Sequence, residues 1–495
     1  MLSLVANATR HLNRQAVISH GQTFSYQQLM QASGQFADQL LGQTSDLQEM
    51  RVAYMIEPGF DYVFVQWGIW RAGGIAVPLS ISYPLPSLQY VLEDTGAEIV
   101  VASGEYAALL APLAAQKGLR FISLDQKPTQ DFSEKTLPEL APQRRAMILY
   151  TSGTTSQPKG VVTTHGALNA QISTLVEAWQ WTNSDHILCV LPLHHVHGII
   201  NVVSCALWAG ATVEFLPAFS AEAVFEAFQK GSINVFMAVP TIYFKLITYY
   251  EHLSAEQQQE ISAVLSRFRL MVSGSAALPV SVLEKWQTIS GHTLLERYGM
   301  TEIGMGISNP YQGKRRAGYI GQPLPGVKVR LVDEQDQVLQ QGNPGEIQVK
   351  GPTLFLEYWN KPDATREAFT EDRWFKTGDI AIVEDGYYRI LGRDSIDIIK
   401  SGGYKISALE IEEVLRAHPD ITDCSVLGIP DEEWGELVAA VLVVEHPHDL
   451  DLSTLKNWLR EKLPAYKIPR SYKILAELPR NAMGKVTKNE LKKLF

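Results

Sequence analysis

At 495 residues the chain is too long for one compact core and calls for two or more domains. A 46% apolar content suits a soluble globular protein, and a formal net charge of −10 argues against nucleic-acid or anionic-membrane partners. No run reaches the roughly 18 apolar residues of a membrane helix, and the three cysteines (Cys189, Cys205, Cys424) are too scattered for a disulfide framework or a zinc site.

The N-terminal residues show no secretory h-region, so the cytosol is the expected compartment. In chain order, "RVAYMI" (Arg51–Ile56) reads as a strand. Leu88, Val91 and Leu92 then give helical spacing after Pro86, with Gly96 as a stop. "AEIVVAS" (Ala97–Ser103) and "LRFISL" (Leu119–Leu124) are further strands, and so is "INVFMAV" (Ile233–Val239). This alternation predicts a large N-terminal α/β domain with stacked, mostly parallel sheets. From about Val327 the sequence turns β-rich and Gly/Pro-punctuated. The last hundred residues read as a small α+β domain: Ser407 and Glu410 fit a capping box, Ile411, Val414 and Leu415 make a helix stripe, "DCSVLGI" and "LVAAVLVVE" read as strands, and Leu455, Trp458 and Leu459 mark a second helix before Pro464. The charged stretch "LGRDSID" (Leu391–Asp397) separates the two, giving domains 1–393 and 394–495.

Between the strands "AMILY" and "GVVTT" lies a loop dense in hydroxyls, with Thr151, Ser152, Gly153, Thr154, Thr155, Ser156 and Lys159. A Walker A loop needs Gly-Lys-Ser/Thr opening a helix, whereas here Lys159 precedes Gly160 and the helix stripe (Ile172, Leu175, Val176, Trp179) comes later. Hydroxyls, free N–H groups and one cation suit a polyphosphate; a Ser/Thr-rich hairpin turn accounts for the same composition.

The run Thr151–Gly160 resembles the signature loop of the adenylate-forming enzymes: acyl-CoA synthetases, luciferases and peptide-synthetase adenylation domains. "GSAAL" (Gly274–Leu278), "YGMTE" (Tyr298–Glu302), "WFKTGD" (Trp374–Asp379), "GRDSIDIIKSGGYKIS" (Gly392–Ser407) and "PRNAMGKVTK" (Pro479–Lys488) recur in that family's order. The resemblance implies that the loop embraces the β- and γ-phosphates of ATP. It implies that Tyr298 stacks on adenine with Gly274, Ser275 and Ala276 along the base, and that Thr301 touches the α-phosphate. Glu302 would ligate Mg²⁺, and Asp379 would accept from the ribose hydroxyls with Arg393 nearby. Lys485 would reach the reacting carboxylate, and Ser401, Gly402 and Gly403 would line the path of CoA. In "HHVHG" (His194–Gly198) the spacing suits no common metal site, and His195 matches the family histidine near the acyl pocket. Ser395 stands where the family often has a charged hinge residue.

Arg297 directly precedes Tyr298, and strand alternation turns the two to opposite faces. An arginine at the acyl site makes sense for an acid with a second carboxylate; pairing with Glu296 would explain it equally well. "LPLHHVHGIIN", "VFMAVPTIYFKL", "MVSGSAALP" and "LLERYGMTEIGM" resemble the malonyl-CoA synthetase subfamily, which acts on malonate and methylmalonate. That resemblance assigns Arg297 to the distal carboxylate, with Lys245 and Ser273 as further substrate contacts. The expectation is an AMP-forming malonate–CoA ligase with small-molecule partners only. The alternatives are a short-chain or aryl acyl-CoA synthetase, a non-catalytic nucleotide or acyl-CoA sensor, and a protein that loads a separate carrier.

Overall fold

The computed structural model describes residues 2–125, 136–151, 158–216, 218–394, 396–402, 404–444, 450–481 and 485–495. Two large sheets dominate the N-terminal part. In the nine-stranded sheet, six strands run parallel, from Leu295–Met300 through Leu270–Ser273, Val235–Ala238, His186–Cys189 and Thr212–Phe215 to Gln15–Ser19. The seven-stranded sheet has a parallel run of Arg145–Thr151, Ile75–Pro78, Arg51–Met55, Ile99–Ala102 and Arg120–Ser123. Strands such as Ile99–Ala102 and Val235–Ala238 are buried at every position, as parallel strands covered on both faces must be. One apolar core gathers side chains from both sheets, including Val17, Val52, Val101, Met147, Val213 and Leu295, so the sheets are stacked around shared helices.

A third sheet is four-stranded and antiparallel. Its Phe375–Glu384 strand alternates buried and half-buried residues along its length, so one face packs and the other meets water. It ends with Tyr387–Arg393, and the next strand, Ile398–Ser401, belongs to a fourth, five-stranded sheet with its own core around Ile411, Leu415, Val426 and Leu455. Among the described residues no helix is long and apolar enough to cross a membrane.

Two local expectations need correction. The helix after "GVVTT" begins at His165, immediately behind the strand Lys159–Thr164, because Thr164 accepts the Ala167 N–H as an N-cap well before the apolar stripe starts. At Ser407 only half the capping box forms: Ser407 accepts the Glu410 N–H, while the Glu410 carboxylate is drawn to Lys467 at 2.7 Å. Lys488, at the end of "PRNAMGKVTK", is buried.

The parallel strands fix where chemistry collects. His194, His195 and His197 follow the carboxyl end of His186–Cys189, and Ser273–Ser275 end and follow Leu270–Ser273. Such strand ends are where open α/β sheets bind ligands.

Candidate active site

On the nucleotide side, Tyr298 and Asp379 come from different sheets and meet. The buried Tyr298 hydroxyl donates to Asp379 Oδ2 at 2.6 Å, and Arg393 Nε donates to Asp379 Oδ1 at 2.9 Å. Each carboxylate oxygen keeps a further lone pair for a hydroxyl donor. Glu302 is buried nearby, and Tyr358 donates to its Oε1 at 2.9 Å. Burial raises the Glu302 pKa, with the Tyr358 hydrogen bond and the charges of Arg393 and Lys159 opposing. Lys159 lies 5.0 Å from the centre of the Tyr358 ring. The loop itself is anchored by an antiparallel pair in which Thr151 faces Lys159. Ser152, Gly153, Thr154, Thr155 and Ser156 lie outside the described residues. Thr301 follows the Leu295–Met300 strand, half-buried next to Glu302.

On the acyl side, strand alternation separates Glu296, Arg297 and Tyr298 as expected. Arg297 does not pair with Glu296: among the described residues no carboxylate forms an ion pair with it, although only 3% of it is exposed. Its Nη2 donates to Ser275 Oγ at 3.3 Å, and its Nε has no partner. Burial draws its pKa down to about 9. Glu296 turns to the other side, where the Leu278 N–H points at it from 3.5 Å, and burial raises its carboxyl pKa to about 8. The guanidinium lies across Gly274, where a Cβ would stand 2.6 Å from Arg297 Cζ, so only glycine fits.

Ser275 presents its hydroxyl to this side. It holds a left-handed backbone (φ 70°), rare for a non-glycine residue, and its Oγ stands 3.1 Å from His197 Nδ1. His197 was visible in "HHVHG" but not singled out; the signal was the histidine run itself. Ser273 is fully buried with an unpartnered Oγ. His195 stacks against His194 at 4.0 Å between ring centres, and burial, then His194 and Lys485, lower its pKa to about 3. Ala276 is exposed beside Ser275.

The C-terminal domain delivers Lys485 to the same place. Lys485 is exposed as a residue, yet its ammonium is crowded by protein; desolvation, Arg393 and Arg297 lower its pKa while Asp379 opposes them. Three residues on, Lys488 ion-pairs with Asp397 at 2.7 Å and Glu412 at 2.9 Å and donates to the Val426 carbonyl. Asp397 also accepts the Arg393 N–H at 3.1 Å, across the junction between the two domains. Ser401 is buried; Gly402 (φ 55°) donates its N–H to the Trp434 carbonyl, and a Cβ there would meet the Trp434 ring at 2.7 Å. Gly403 and Ser395 lie outside the described residues.

Lys245 stands apart from this cluster. It is exposed on the Pro240–Glu251 helix, 5.7 Å from the Phe219 ring, in a surface groove with Phe244, Thr248 and His252. The buried stripe of that helix is Tyr243, Leu246 and Ile247, which turns Lys245 outward. Tyr358, Trp434 and Glu412 were missed because each joins the site through tertiary contact, Tyr358 from 56 positions beyond Glu302.

Residues 4–359 match the family model for the AMP-binding enzymes, and residues 410–485 match the C-terminal domain of AMP-binding enzymes. The chain is 48% identical over 478 residues to the mitochondrial malonate–CoA ligase ACSF3 of Mus musculus, covering 90% of this chain and 82% of that relative. Its structure is similar to that of ATP-bound MatB from Rhodopseudomonas palustris, with 33% identity, a TM-score of 0.91 and coverage of 100% and 99%. Over the same coverage the apo form of MatB gives a TM-score of 0.81.

Proposed function

The chain belongs to the AMP-binding enzymes, and from that premise we propose that it is a malonate–CoA ligase that uses ATP to form malonyl-AMP and then passes the acyl group to CoA. A carboxylate is a poor acyl donor because oxide would have to leave. One carboxylate oxygen of malonate attacks the α-phosphorus and pyrophosphate departs. The CoA thiolate then attacks the acyl carbon and AMP departs.

The side chains divide this work. Tyr298, Gly274 and Ala276 hold the adenine, while Asp379 and Arg393 hold the ribose. Thr151, Lys159 and the hydroxyl loop take the β- and γ-phosphates, and Thr301 takes the α-phosphate. Lys485 lies between the reacting carboxylate and the α-phosphate, and its charge offsets the negative charge that develops there. His195 flanks it as a neutral imidazole, since burial keeps its pKa near 3. The Ser401–Gly403 turn lines the approach of the thiol. Glu302 suits Mg²⁺: one buried carboxylate, steadied by Tyr358, is what an ion sharing its shell with phosphates and water requires. When bound, that ion neutralises phosphate charge as pyrophosphate leaves.

The observation that carries the malonate reading is the buried Arg297 with no acidic partner among the described residues. A guanidinium out of water needs an anion, and the distal carboxylate of malonate supplies one in bidentate geometry. Methylmalonate adds only a methyl group and is a second substrate on the same grounds. Malonate, methylmalonate, acetate and propionate, compared by AMP release, test this. We expect the two dicarboxylates to exceed the monocarboxylates by about 10⁴ in kcat/KM, because acetate and propionate leave the guanidinium unpaired. A preference for propionate would remove the assignment. The cytosol is the proposed location; three buried free thiols fit a reducing compartment, and cell fractionation against a mitochondrial marker tests which one.

A further inference from the structure

Four basic side chains lie within electrostatic reach of one another: Lys485 acts on His195, His195 on His197, and Arg297 on both His197 and Lys485. Two contacts at the Arg297 end line up. Arg297 can only donate, and its Nη2 faces Ser275 Oγ at 3.3 Å. Ser275, accepting there, can give its own proton to His197 Nδ1 at 3.1 Å; the sense of that second contact follows the histidine tautomer. A neutral imidazole that accepts at Nδ1 carries its proton on Nε2. That Nε2 is buried and has no partner in the protein, and only 4% of His197 is exposed. A buried N–H without an acceptor is costly, so an unpaired one beside a ligand site points to a ligand acceptor.

We propose that Arg297, Ser275 and His197 form a one-way hydrogen-bond chain that fixes His197 as the Nε2–H tautomer and aims that N–H at the distal carboxylate of the acid, making His197 and Ser275 specificity-determining residues. The proposal rests on the malonate reading above. Arg297 addresses the carboxylate with its fork and His197 adds a third donor from the side. Burial, then the charges of Arg297 and His195, holds the His197 pKa well below its ordinary value, so the tautomer persists at working pH. The left-handed Ser275 backbone sets its hydroxyl between the two partners, and such strain concentrates at functional sites.

The test uses the full chain with His197→Gln, His197→Asn and Ser275→Gly. Glutamine places an N–H where Nε2 was, while asparagine reproduces only the Nδ1 position. Glycine deletes the hydroxyl and relaxes the positive φ, so a loss there does not come from lost stability. Asparagine and glycine should each cost roughly 10- to 100-fold in kcat/KM for malonate, with KM for ATP unchanged, and glutamine should restore most of it. The loss on propionate should be several-fold at most. Equal losses on both acids, or glutamine no better than asparagine, would overturn the proposal. Selective ¹⁵N-histidine spectra, assigned with His197→Gln, read the tautomer without substrate: an Nδ1–H signal would break the chain whichever acid is used. A wild-type preference for propionate with the Nε2–H tautomer intact would instead remove the malonate reading and the carboxylate target with it.

Discussion

Arg297 and Glu296 are neighbours in sequence and opposites in environment. Arg297→Ala should cut kcat/KM for malonate by roughly 10²–10³, since removing one partner of a buried ion pair costs about 3–5 kcal/mol. Acetate and propionate should lose far less, and equal losses on all acids would make Arg297 a fold residue. Glu302→Gln should raise the Mg²⁺ concentration needed for half-maximal AMP release, because an amide oxygen is a weaker ligand for a hard cation. An unchanged requirement in a folded variant would remove Glu302 from the metal. Glu296 gives a stability prediction. Its carboxyl pKa is pushed up to about 8 by burial, so between pH 4.5 and 8 the folded state keeps a proton that the unfolded state has released. Stability from this group is complete below pH 4.5 and falls as pH rises toward 8. Glu296→Gln carries no such proton, so thermal unfolding should find it increasingly more stable than wild type from pH 5 to 8; a gap that narrows with pH would contradict this. The strand period revealed that Arg297 and Tyr298 part ways, because alternation is a local property. It could not reveal that Arg297 lacks a carboxylate, which depends on what every neighbouring element presents.

Elements show the same division. Lys485 lies three residues before the helix Lys488–Lys492, which is tied down by Lys488, whose charge answers Asp397 and Glu412; Glu412 is shared with Arg416 at 3.2 Å. Burial alone would lower the Lys488 pKa, but the two carboxylates outweigh it and raise it. Lys488→Met leaves the buried Glu412 with Arg416 alone and takes from Asp397 its ion-pair partner, so the C-terminal domain should lose about 3–5 kcal/mol and melt at lower temperature. An unaltered melting profile would show the network to be dispensable. Nothing in "GKVTKNELKK" marks Lys488 as different from Lys492, because burial is decided by the strand Ile421–Asp431 packing over it. Helix and strand identities were legible because their apolar periods are strong, as at Arg51–Met55 and Leu452–Arg460. A motif fixes a position along a helix without saying which way it turns, so the exposure of Lys245 was not legible in the sequence.

For the whole molecule, several contacts between the C-terminal domain and the rest are polar among the described residues. Glu413 accepts the Val280 N–H at 3.0 Å, Lys405 meets Glu334 at 2.6 Å on the surface, and Ser407 donates to the Leu391 carbonyl, while Lys485 enters the cleft. Polar contacts between domains suit a chain that must first enclose ATP and then admit a thiol. The half-reactions should therefore separate. Lys485→Ala should abolish most pyrophosphate exchange while transfer from preformed malonyl-AMP to CoA survives. If both slow equally, one fixed arrangement performs both steps.

The junction at Arg393 bears on timing. Arg393 grips Asp379 with its side chain and gives its backbone N–H to Asp397, which ion-pairs with Lys488 three residues beyond Lys485. The domain junction and the Asp379 contact thus meet in one residue, like an escapement wheel engaged by two pallets. A domain movement that broke the Asp397 contact would free the backbone under the Arg393 guanidinium and loosen its grip as the lysine departed. Nucleotide grip and domain angle would then be released together rather than drift independently.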